Sequence, residues 1–82
     1  MPYIMKQYRY QHEPHISDPY KTPGQLNFSI TKLCQYYLKD QSESYQTYND
    51  IIGVLECCKQ ELYRRLISKY EDTKIESNGD VF

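Results

Sequence analysis

Few residues in this chain are spaced for chemistry. His12 and His15 lie three apart and would offer two imidazoles to a zinc ion, but Pro14 stands between them and no CxxC or HExxH spacing occurs. They read as solvated residues of an arm, with no metal and no cofactor expected. A nucleophilic cysteine needs an electropositive, part-exposed setting and a positioned base. Cys34, Cys57 and Cys58 fall instead inside apolar helical patterns. There is no glycine-rich phosphate loop, no GxSxG, and no pair of carboxylates in a hydrolytic context. No catalytic residue is assigned, and the chain is expected not to be an enzyme.

Binding is the chemistry that remains. Lys59, Arg64, Arg65 and Lys69 form a basic cluster with Tyr63 beside it, and Arg65 and Lys69 are one helical turn apart. Guanidinium forks with an aromatic face suit an anionic nucleotide, with a neighbouring subunit completing the pocket. The plainer alternative is a solvated helix end, with Glu61 four residues before Arg65 and basic residues complementing the helix dipole. A weaker signal is Lys6-Gln7-Tyr8-Arg9-Tyr10, where cations alternate with aromatics as in single-strand nucleic-acid binders. A net charge of −1 gives no global basic field, so bulk nucleic-acid binding is disfavoured.

The cluster sits on the longest periodic segment, Tyr45 to Tyr70. Tyr48, Ile51, Leu55, Cys58, Leu62 and Leu66 step by three or four, the spacing that lines one helix face. Ile52, Val54, Ile67 and Tyr70 widen the apolar surface beyond what one short partner helix covers. Ile51, Leu55, Leu62 and Leu66 are therefore expected to pack against another subunit. Gly53 costs roughly 0.8–1 kcal/mol relative to alanine inside a helix. The expected compensation is close approach of another backbone or a ligand, a helix crossing being favoured.

An earlier helix is expected over about 23–39. Thr22-Pro23-Gly24-Gln25 has the form of a capping box, and Leu26, Ile30, Leu33 and Tyr37 follow at spacings of four, three and four. Asp40 to Ser44 is a polar break of the length that joins antiparallel helices, and Ser44, rather than Thr47, is the favoured cap of the second helix over 44–70. The fold class is all-α: an antiparallel helical hairpin within residues 23–72. Before it, residues 1–22, with three prolines and few aliphatics, read as an extended arm. After it, Asn78-Gly79 reads as a tight turn letting Lys74-Ile75-Glu76 pair with Asp80-Val81-Phe82, and residues 73–82 are expected to dock on a helix surface.

Eighty-two residues make one small domain, where a single core supplies only about 3–5 kcal/mol. Three cysteines, two of them adjacent, suggest reduced thiols and a cytoplasmic protein, with no signal peptide or membrane span expected. A homo-oligomer would supply the missing stability. Ten tyrosines, no tryptophan and no alanine suit half-buried interfacial surface, and equally suit an AT-rich coding bias.

The series Pro23-Gly24-Gln25-Leu26-Asn27-Phe28, Asn49-Asp50-Ile51-Ile52-Gly53-Val54-Leu55-Glu56, Glu61-Leu62-Tyr63-Arg64-Arg65, Tyr70-Glu71-Asp72 and Asn78-Gly79-Asp80-Val81 resembles a family of small proteins found in bacteriophages, prophages and bacteria. Its pattern runs PGELNY, NDxIGxLE, YRR, YEDxKI, NGDVY. Gln25, Phe28 and Phe82 depart from it, where the pattern has Glu, Tyr and Tyr. The resemblance implies a phage-type accessory protein in the host cytoplasm rather than a mechanism. Such a protein would bind a host component, sequestering a signalling nucleotide of a defence system or inhibiting a host protein. Alternatives are a nucleic-acid-binding regulator using the arm, or a structural subunit of a larger particle.

Overall fold

Thr22 begins the first long helix because it and Gln25 satisfy each other's orphan donors. In a computed structural model, which describes residues 2–14 and 18–82, the Gln25 N–H donates to Thr22 Oγ1 at 3.2 Å, and Gln25 Oε1 accepts from the N–H groups of Thr22 at 3.3 Å and Lys21 at 2.6 Å. Pro23 takes the first helical position, where its missing N–H costs nothing. Helix α1 runs Pro23–Gln41, two residues past the expected end. It stops at Ser42, held at φ 71° and ψ 148°, a region that a side chain resists at a cost of about 1–3 kcal/mol.

Gln25→Glu keeps both accepted hydrogen bonds and adds a negative charge at the helix N-terminus. It is expected to stabilise α1 by about 0.3–1 kcal/mol at low ionic strength. Thermal melts of the two proteins in 10 mM and 500 mM salt check this, with the gain shrinking in the higher salt.

Ser44 starts the second helix. Its Oγ accepts the Thr47 N–H at 3.0 Å and lies 2.9 Å from Thr47 Oγ1, and its carbonyl takes the Tyr48 N–H at 3.1 Å. Helix α2 spans Tyr45–Leu62, a π-helical turn follows over Tyr63–Ile67, and helix α3 spans Ser68–Asn78. Leu62 and Ser68 both keep helical backbone angles, so the three run on without a break. No strand occurs among the described residues.

The C-terminal turn is a correction. Lys74, Ile75 and Glu76 lie within α3 rather than in a hairpin, so the tail is 79–82, not 73–82. Asn78-Gly79 ends the helix instead: Gly79 sits at φ 92°, open to glycine, and its N–H donates to Ile75 O at 2.8 Å. Local contacts favour the helix over so short a hairpin, which is unstable alone. Thr73 Oγ1 donates to Tyr70 O at 2.6 Å, and Lys74 Nζ lies 5.4 Å from the centre of the Tyr70 ring. Val81 and Phe82 are exposed rather than seated on a helix of their own chain.

The chain divides into two compact units, residues 3–52 and residues 53–82 with Pro2. In the first unit the arm, expected to be extended, forms two 3-10 turns, Lys6–Tyr8 and Tyr10–His12, and Arg9 Nε donates to Ile4 O at 2.7 Å. The α1 stripe, Leu26, Ile30, Leu33 and Tyr37, is exposed, as is the first half of α2 apart from Thr47 and the half-buried Ile51. In the second unit Leu55, Leu62, Leu66 and Tyr70 are exposed. Among the described residues no apolar side chain is buried, and Thr47, at 7% exposure, is the one buried residue.

Candidate functional site

The π turn falls on the segment that carries the basic cluster. Its signature is the Ser68 N–H, which bonds to Tyr63 O five residues back, while Ser68 Oγ donates to Arg64 O at 2.8 Å. The apolar spacing gives a reason for it. From Tyr48 to Leu62 the steps alternate three and four; from Leu62 to Leu66 to Tyr70 they are four and four. In an α-helix two successive steps of four turn the stripe by about 80°. A wider turn at Tyr63–Ile67 takes up the extra residue and keeps Leu66 and Tyr70 in line with Cys58 and Leu62. π turns of this kind often accompany functional sites.

Three of the five basic-cluster residues are engaged on their own helix. Lys59 Nζ lies 3.1 Å from Glu56 Oε2. Arg64 grips Glu61 with two forks, Nε to Oε1 at 3.2 Å and Nη2 to Oε2 at 3.0 Å. Tyr63 OH donates to Glu71 Oε1 at 3.0 Å, and that hydrogen bond, with the carboxylate's charge behind it, raises the phenol above its ordinary value. Glu56 is held below the ordinary carboxylate value, first by the Gln60 amide and then by Lys59. The expected Glu61–Arg65 pair is instead Glu61–Arg64. Arg65 and Lys69 have no ion pair among the described residues.

Arg65 instead borders an apolar groove. Pro2, Cys58, Leu62 and Leu66 line a space of about 440 Å³, with Glu61 and Arg65 along one side. Leu62 is 55% and Leu66 63% exposed, so the groove is open to a partner. A second groove of about 440 Å³ lies at the start of α1, lined by Tyr20, Gly24 and Phe28 among others. At Gly53 an added Cβ would meet no atom within 4 Å. The close approach expected there is not supplied by the described residues.

Sequence reasoning named Glu61 beside the cluster but not Glu56 or Glu71. Glu56, Glu61 and Glu71 were legible only as helix neighbours, and Tyr63 to Glu71 is a reach of eight residues that no simple helix rule flags. The four-four apolar spacing was the available signal for the π turn. Of the histidine pair, His12 ends a 3-10 turn and His15 lies outside the described residues. No group of three metal-ligating side chains occurs among the described residues, and none of their helices is long and apolar enough to cross a membrane.

No curated protein matches the chain, and no solved structure does. Residues 1–81, all but the final phenylalanine, match the family described as Domain of unknown function (DUF6899). That span takes in the arm, both capped helix starts, the π turn and the tail, and the chain belongs to the DUF6899 family.

Proposed function

We propose that this chain is a non-enzymatic binding protein of the phage accessory type, an all-α homo-oligomer built on an antiparallel helical hairpin that presents Tyr63 to Lys69 to a host protein. One observation carries the reading: no apolar side chain among the described residues is buried. Helices gain most of their stability from packing an apolar face, and here Leu26, Leu33, Leu62 and Leu66 stay 46% to 66% exposed. Self-association supplies that packing. The π turn then fixes a local shape, with backbone and side-chain donors around Arg64, that differs from an ordinary helix surface.

A protein partner suits the segment better than an anionic nucleotide. Lys59, Tyr63 and Arg64 each already hold a carboxylate on their own helix. A nucleotide would have to displace those acids or face their charge, leaving Arg65 and Lys69 as its ready cations. Tyr63 with exposed Leu66 and Arg65 is the composition of a protein-binding anchor.

Affinity capture from host lysate with immobilised wild-type protein, run beside Tyr63→Ala/Arg65→Ala, tests this. The expected result is one host protein retained in stoichiometric amount by the wild type and lost with the variant. In parallel, calorimetry with cyclic di- and trinucleotides is expected to give no heat. Nucleotide heat that disappears in Arg64→Ala/Arg65→Ala would instead assign the site to nucleotide sequestration. Absence of both partner and heat would contradict the binding role.

A further inference from the structure

We infer that Asn78-Gly79 is a modification site, an asparagine set to lose its side-chain amide nitrogen, with the last turn of α3 gating the reaction and opened by its product. The inference is independent of the binding role proposed above. The Gly79 backbone nitrogen gives up its proton to hydroxide and attacks Asn78 Cγ. Ammonia leaves from Cγ, taking its third hydrogen from water, and a succinimide ring joins the two residues. Water then opens the ring at one carbonyl or the other, leaving an aspartate or, with the backbone rerouted through the side chain, an isoaspartate. No oxidant or cofactor enters. Asparagine is a heat-labile residue, and attack is easiest where the next residue has no Cβ to crowd its nitrogen. The chain has three asparagines, and only Asn78 precedes glycine. Asn27 precedes Phe28 within α1, and Asn49 precedes Asp50 within α2.

The fold sets when the attack can occur. Asn78 is the last residue of α3, and the Gly79 N–H donates to Ile75 O at 2.8 Å. While that bond holds, the nitrogen keeps its proton, and helical backbone angles at Asn78 hold it away from Cγ. Opening the last turn alone removes both restraints. Asn78 and Gly79 are exposed, Ile75 is 44% exposed and Val81 beyond them 90%. Exposed helix ends of this kind open at little free-energy cost. The Thr73 and Lys74 contacts to Tyr70 brace the helix just upstream. Either product then works against the cap. A carboxylate at position 78 lies at the negative end of the helix dipole, between Glu76 and Asp80. An isoaspartate also adds a carbon to the backbone between Ile75 O and Gly79 N, which puts that hydrogen bond out of register. Conversion is one-way and shortens α3.

The whole chain held at pH 8 and 37 °C, with and without 6 M guanidinium chloride, tests this. Each conversion raises the mass by about 1 Da, and peptide mass spectrometry places it on a residue. The gain is expected at Asn78 ahead of Asn27 and Asn49, and about tenfold or more faster in denaturant than in the folded chain. Lys74→Gly lowers helix propensity near the last turn without touching the reacting atoms. It is expected to speed the folded reaction about threefold or more and to leave the rate in denaturant unchanged. Gly79→Ala, with a Cβ beside the attacking nitrogen, is expected to slow the reaction about tenfold or more even in denaturant. The converted protein, separated by anion exchange, is expected to show less helix by circular dichroism. Conversion first at Asn27 or Asn49, a folded rate equal to that in denaturant, a folded rate unmoved by Lys74→Gly, or a product of unchanged helicity overturns the inference.

Discussion

Leu62→Ala together with Leu66→Ala is expected to leave a monomer with much of its helix content lost. Alanine is the best helix former, so if α2 and the segment after it were held by local propensity alone, the substitutions would preserve helicity or raise it. Both leucines are more than half exposed in the single chain. Each is partly covered within the chain, so a smaller share of the loss falls there and the larger share on whatever packs against the exposed part. Truncating a leucine that becomes buried costs about 2–5 kcal/mol. Two per chain weaken association by more than a hundredfold, at about 1.4 kcal/mol per tenfold. Far-UV circular dichroism and sedimentation velocity at matched concentrations read the two effects together. An assembled, fully helical double variant would place the interface elsewhere.

Gly53→Ala carries the second large effect, and its sign is informative. An added Cβ meets nothing within 4 Å among the described residues, so the substitution should recover the helix-interior penalty and stabilise by roughly 0.8–1 kcal/mol. That gain is expected if the Gly53 face stays open to solvent in the assembly. If instead a second backbone crosses there, the methyl group pushes it away, and the variant melts lower and assembles less. The expected outcome is the gain, because Leu62 and Leu66, the leucines assigned to the proposed self-association, lie more than two turns from Gly53. Thermal melts with light scattering on the same samples distinguish the cases, and a loss of both stability and assembly would move the interface toward the N-terminal half of α2.

The helix starts were readable in the sequence because they rest on neighbours in the chain. Thr22 and Gln25, and Ser44 with Thr47, satisfy donors three residues away, and such partners are visible in a string of letters. The tail misled for a related reason. Asn78-Gly79 serves a hairpin or a helix stop equally well, and the balance was tipped by Thr73, Tyr70 and Lys74 contacts upstream. The pairing within the basic cluster was harder still. Glu61 reaches Arg64 rather than Arg65 across a turn whose residue count per turn is itself changed by the π geometry. What covers the apolar stripes is not written in local spacing at all, since Leu26, Leu33, Leu62 and Leu66 are patterned as for burial and yet lie open in the single chain.

The central claim is that these helices are held by association rather than by a core of their own. Helicity of the wild-type protein, followed by circular dichroism on serial dilution from 100 µM to 0.1 µM with mass measured by light scattering at the upper concentrations, tests it most directly. A mass of at least two chains is expected at the top of the range, with a fall in helicity as the assembly dissociates. A mass of 9.9 kDa with full helicity at every concentration would contradict it.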